Sequence, residues 1–268
     1  MATKITESTL EMHYHKALMD ALKGCYGVGP KGQFSFYKYS PQKEKFIGFD
    51  QAYVRTEVDD YVFYNDIKKI ASGTATSKKY AGFFLQFKVV DVRIKKSKSV
   101  PLAVSSTPPF YAVKLSTNRD ADDNLSQHEL LRNIRASSPQ AIVYYVCPMV
   151  FEKLDLYVDE PNLELLRMVD VESSQSDFSD NKLHHIFFKD MLSQPVWCSE
   201  PRDGIALTIK ELIGRIRELD ITPQQHAALL LLVIENQMNL AKFDDKEDPL
   251  RATLKILSES LYVISYGE

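Results

Sequence analysis

The chain has 268 residues, 44% of them hydrophobic and 26% charged, with a formal net charge of −3. That length buries a sizeable core, enough for one large domain or for a core domain with an appendage, and it excludes a scaffold that needs staples. The balanced charge excludes a protein that coats nucleic acid by charge alone, and no apolar run approaches the roughly 20 residues of a membrane helix.

The first stretch, MATKITESTLEMHYHK, lacks a continuous apolar segment and a small-residue cleavage site. It reads as cytoplasmic rather than exported. Ser8 and Glu11 have capping-box spacing, and Leu10, Tyr14, Ala17, Leu18 and Ala21 then recur at helical spacing until Gly24. The glycines at 27, 29 and 32 are too irregular for a phosphate-cradling loop. Residues 34 to 39 and 46 to 54 are aromatic or β-branched, separated by Ser-Pro-Gln-Lys-Glu-Lys, and predict a hairpin. The type of the segment from Val58 to Ile70 is left open, and residues 72 to 77 form a loop.

Gly82 to Val90 is the clearest strand. A basic stretch, Arg93 to Lys98, follows, then a short strand from Phe110 to Leu115. A helix-start cluster at residues 122 to 126 leads into a helix with Leu130, Leu131 and Ile134 on one face. Ala141 to Val146 is a continuous apolar run, as in strands buried on both faces. His185 to Phe188 is one more strand. Three helices follow, at 205 to 219, at 223 to 240 with Thr222 as cap, and at 250 to 265. The expected layout is an α/β core over residues 1–170, in the order α-β-β-β-α-β, with a mostly helical extension over 171–268. Cys25, Cys147 and Cys198 are odd in number and far apart, which argues for reduced thiols.

Three residues carry the chemistry. Asp50 lies mid-strand in Ile-Gly-Phe-Asp, where a charge is costly without a cation or partner. In Leu85-Gln86-Phe87-Lys88-Val89, strand alternation turns Gln86 and Lys88 to one face and the apolar residues to the other. Were the two strands neighbours, a carboxylate, an amide oxygen and an ammonium would share one pocket. Such oxygens suit magnesium or manganese, and the lysine would orient the attacking water and stabilise charge on a phosphate.

These residues and the element order resemble the PD-(D/E)xK, or restriction-endonuclease-like, nucleases over about residues 6 to 150. The Gln-x-Lys tripeptide is similar to that of the Mrr-type branch. The resemblance implies a restriction-endonuclease-like mixed sheet, Mg2+ (or Mn2+) held by Asp50 and Gln86, and a catalytic Lys88. It also implies supporting roles for Gln127 and Glu11, and an insertion around residues 56 to 80. The implied activity is metal-dependent endonucleolytic cleavage of DNA, in a restriction or anti-phage defence setting. Lys95, Lys96 and Lys98 would contact DNA phosphates.

Blander readings stand beside these. Glu11 serves a helix cap, Gln127 only begins a helix, Asp50 is salt-bridged, and Lys88 snorkels from a strand edge. His13 with His15, and His184 with His185, fall on different faces, so neither pair makes a zinc site. The competing function is a catalytically inactive module of the same fold. It would dock a protein partner or a second copy through the C-terminal helices, where Leu229 to Ile234 is apolar all round.

Overall fold

The computed structural model describes residues 5–26, 34–37, 59–74, 76, 78–95, 100–105, 108–115, 126–138, 140–158, 160–174, 184–198, 201–240, 248–257 and 260–267. The chain is mixed α/β, with two sheets among the described residues. Its first elements are α1 (Glu7–Lys23), β1 (Phe34–Tyr37), α2 (Asp60–Ala71), β2 (Lys78–Phe87), β3 (Val90–Arg93) and α3 (Leu102–Ser105). Next come β4 (Phe110–Lys114), α4 (Gln127–Ser137), β5 (Val143–Pro148), β6 (Leu166–Asp170) and β7 (His185–Phe188). The chain then forms β8 (Val196–Trp197), β9 (Arg202–Asp203), β10 (Ala206–Leu207), α5 (Ile209–Leu219), α6 (Pro223–Leu240), α7 (Pro249–Leu257) and β11 (Leu261–Gly267).

These elements sort into two compact units that interleave along the chain. One takes residues 1–22, 86–136 and 143–218, and the other takes 23–85, 137–142 and 219–268. In the first, β5, β6 and β10 pair antiparallel, and β3, β4, β7, β8 and β9 follow one another in an antiparallel ladder. All six positions of β5 are buried, as its unbroken apolar run predicts. Helix starts here are chemically specified. Ser126 and Glu129 close a reciprocal box, Ser126 N–H donating to Glu129 Oε2 at 2.7 Å and Glu129 N–H to Ser126 Oγ at 3.2 Å. Thr208 and Glu211 do the same for α5.

In the second unit, β11 lies between β1 and β2, antiparallel to both. This corrects the expected last helix over 250 to 265, since only Pro249–Leu257 is helical and the rest is strand. The strand expected over 46 to 54 lies outside the described residues. The segment left open at Val58 to Ile70 is helix α2, capped by Asp59, whose carboxylate accepts from Tyr61 N–H at 2.9 Å. Phe63, Ile67 and Ile70 form its buried face. Helix α6 begins at Pro223 behind a Thr222–Gln225 box. Its apolar run is covered, with Ala227, Leu229, Leu230, Val233 and Ile234 all buried. Helices α2 and α7 pack against it.

Leu230 fixes one close approach. A Cβ placed on Gly82 would overlap Leu230 Cδ2. His226, one turn earlier on α6 and 1% exposed, sits beside the Tyr26 ring at 5.5 Å, with its Nδ1 lacking a hydrogen-bond partner. Burial depresses the His226 imidazole from 6.5 to about 4.

Gly82→Ala is expected to destabilise the protein by about 1–3 kcal/mol in urea unfolding, because overpacking forces neighbours off their rotamers. Trimming Leu230 to Ala should cost less in that background than alone, and equal costs would remove the contact from the explanation. His226 is neutral when folded, so the unfolded chain takes up the proton first as pH drops below 6.5. Stability should therefore fall from about pH 6.5 towards pH 4, through this group and through His15, which burial also depresses to about 4. Urea midpoints of His226→Gln should decline less steeply with acid than those of the wild type, and parallel declines would contradict the assignment.

Candidate functional site

Lys88 follows the last residue of β2 and is 2% exposed. Its backbone N–H donates to Val146 O of β5 at 2.9 Å, so the chain is still held as sheet at this point. A buried ammonium needs acceptors, and two helices provide them. Lys88 Nζ donates to Gln127 Oε1 at 2.7 Å and to Glu7 Oε1 and Oε2 at 3.2 and 3.4 Å. It also lies 6.0 Å from the centre of the Tyr145 ring.

Each partner is positioned by a local signal. Gln127 is the first residue of α4, immediately after the Ser126 cap. Glu7 is the first residue of α1 because the cap is Thr6, whose Oγ1 accepts from Thr9 N–H at 3.2 Å. The Ser8–Glu11 box expected from the sequence is thus displaced by two residues. Glu11 comes one helical turn after Glu7 and shares its face of α1, but the carboxylate paired with Lys88 is that of Glu7.

Beneath this cluster Tyr145 and His128 form a fully buried pair, His128 Nδ1 lying 2.8 Å from the Tyr145 hydroxyl with the rings stacked. Burial holds the Tyr145 phenol well above its ordinary range, so it is a neutral group under Lys88. Cys147, two residues on, is also buried and its thiol is raised to about 12, chiefly by burial. It is no nucleophile at neutral pH.

Gln86 is 7% exposed, and its Oε1 is buried without a hydrogen-bond partner, while Nε2 makes only a 3.5 Å contact to Phe87 O. An orphaned amide oxygen two residues before Lys88 is the kind of donor a hard cation satisfies. Asp50, Lys96 and Lys98 lie outside the described residues. Lys95 is exposed just after β3. Among the described residues no group of three or more His, Cys, Asp or Glu side chains is gathered to hold a metal. The donors present nevertheless fit magnesium or manganese in kind, since Gln86 and Glu7 offer oxygen.

A scan of protein-family models, a search of curated proteins and a search of solved structures each found nothing that matches this chain. The candidate site therefore rests on its own geometry.

Lys88 carries its charge at a position that is 2% exposed. Replacing it by Met is expected to be neutral or stabilising in urea unfolding, because the desolvation penalty goes with the charge. Glu7→Gln should instead cost about 1–3 kcal/mol, a range reduced for the partial exposure of Glu7, because it leaves the ammonium buried without its anion. A larger loss for Lys88→Met than for Glu7→Gln would make Lys88 a structural strut.

Proposed function

We propose that this chain is a metal-dependent endonuclease that hydrolyses phosphodiester bonds of DNA, built on a restriction-endonuclease-like core. The observation that carries the reading is the meeting at Lys88 of Glu7 from the first helix and Gln127 from a later one, beside the orphaned oxygen of Gln86. The PD-(D/E)xK resemblance implies such a gathering of an early helix, a Gln-x-Lys strand and a following helix. Helix α2 occupies part of the insertion that the resemblance requires between Asp50 and Gln86.

Gln86 and Asp50 would hold Mg2+ or Mn2+, with Glu7 nearby. When bound, the ion would polarise the phosphate and lower the pKa of a water. Lys88 supplies a fixed positive charge for the oxygens of the reacting phosphate, and burial makes that charge act more strongly than it would in water. Gln127 orients the ammonium. Glu7 holds its charge at rest and, being half exposed, is free to swing aside when a phosphate arrives. Lys95, and Lys96 and Lys98 after it, would meet the DNA backbone, and a defence or restriction setting in the cytoplasm suits an effector of balanced charge. No helix among the described residues is long and apolar enough to cross a membrane.

The test is cleavage of plasmid and linear DNA with Mg2+ or Mn2+, beside Asp50→Ala and Lys88→Ala at matched folding, with an RNA substrate in parallel. Both substitutions should reduce cutting by at least about a hundredfold, the usual scale for removing a preorganised charge from an active site. Cutting that persists in both variants would place the chemistry elsewhere. Absence of cutting by any form would favour the inactive module that binds a partner.

A further inference from the structure

Arg167, on β6, differs from the other buried cations described. Lys88 meets Glu7, and Arg135 meets Glu172 at 2.6 Å and Asp170 at 4.0 Å. Arg167 is 4% exposed, yet among the described residues no carboxylate lies within ion-pair distance of it. Its Nη2 donates to the Leu192 carbonyl at 3.3 Å, and its Nε is buried without any partner. Guanidinium cannot escape burial by losing its proton, as a lysine or histidine can. A fixed charge with idle donors is costly unless something anionic arrives.

The neighbouring acids are already committed. Glu211 and Asp190 are the carboxylates whose charge reaches Arg167. Glu211 Oε2 accepts from the Thr208 amide and hydroxyl at 2.7 and 2.9 Å, closing the cap of α5. Asp190 Oδ1 accepts from the amides of Leu192 and Ser193 at 2.9 and 2.7 Å, folding the loop that covers the guanidinium. One oxygen of each acid is thereby held by its own cap or turn, and neither makes an ion pair with Arg167.

Register shows where the free donors stand. Arg167 is directly opposite Cys147 in the β5–β6 pair, so the two side chains share a sheet face. Lys88, whose backbone N–H donates to Val146 O, stands beside Cys147 on the opposite side of β5 from Arg167. Two buried cations on one sheet face, either side of Cys147, suit an anion with several oxygens directed apart, which favours a phosphate group over a flat carboxylate.

We propose that Arg167 is the buried end of a phosphate-binding position, its guanidinium fork pairing with phosphate oxygens on the sheet face that also carries Lys88. The position is distinct from the metal donors and stands whether or not the chain cuts DNA. Its phosphate is either a backbone phosphodiester or a free phosphate group.

The test is thermal unfolding of the full chain in inorganic phosphate against chloride at equal ionic strength, for wild type, Arg167→Met and Arg167→Lys. Phosphate should raise the wild-type midpoint saturably, leave Arg167→Met unmoved, and bind Arg167→Lys at least about tenfold more weakly. In chloride, Arg167→Met should melt at or above the wild type, because it removes an unpaired buried charge. An unresponsive wild type, an equal response in Arg167→Met, or an Arg167→Met that melts well below wild type in chloride would overturn the proposal. A short DNA strand without terminal phosphates, used as competitor, separates the sources: displacement of phosphate identifies the phosphodiester, and its absence the free group. None of these readings depends on cleavage, so this position and the nuclease reading fail separately.

Discussion

The candidate site depends on how a buried ammonium is satisfied. At 3.2 Å and an effective dielectric of about 20, Lys88 and Glu7 attract by at most about 5 kcal/mol, and by less because the Glu7 side chain is 43% exposed. Desolvating the ammonium costs several kcal/mol. The two magnitudes nearly cancel, so the cluster contributes little net stability, and an apolar side chain would serve the fold as well. What the charge does contribute is geometry, since α1, the end of β2 and α4 must all arrive in register for Lys88 to be paired. A residue that is neutral or costly for folding, and that gathers three elements, has the profile of a functional group.

The same reasoning separates the other charges. Arg135 and Asp170, with Glu172 and Arg215, form a connected network that joins α4, β6 and α5 and satisfies its own members. Arg167, on the same strand as Asp170, is left with one carbonyl. Likewise Gln86 leaves an oxygen idle while the buried His128–Tyr145 pair beneath Lys88 is hydrogen bonded. In the first unit, the idle buried side-chain atoms among the described residues are the Gln86 oxygen, two residues before Lys88, and Arg167 Nε on β6.

Much of this was legible in the sequence. Elements with a strong period or a boxed start, such as α4, α5, α6 and β5, stand close to where residue patterns put them. Lys88 and Gln127, singled out 39 positions apart, are in hydrogen-bond contact. The misses have local causes. Thr6 competes with Ser8 as the cap of α1, and shifting the start by two residues exchanges Glu11 for Glu7 as the partner of Lys88. Helix α2 had a legible cap in Asp59, with Phe63, Ile67 and Ile70 at helical spacing. Strand β11 hid behind α7, where a helical period gives way to Tyr-Val-Ile-Ser-Tyr with no glycine or proline to mark the change. Arg167 had no local signal at all, because lacking a counter-charge is a property of the folded neighbourhood.

The most direct measurement on the central claim is Mn2+ binding followed by electron paramagnetic resonance, for wild type, Gln86→Leu and Asp50→Ala at matched folding. A metal-dependent nuclease site predicts saturable binding by the wild type that weakens by at least about tenfold in both variants. Undiminished binding in Gln86→Leu, or none by the wild type, would contradict the assignment of Gln86 and Asp50 as metal ligands beside Lys88.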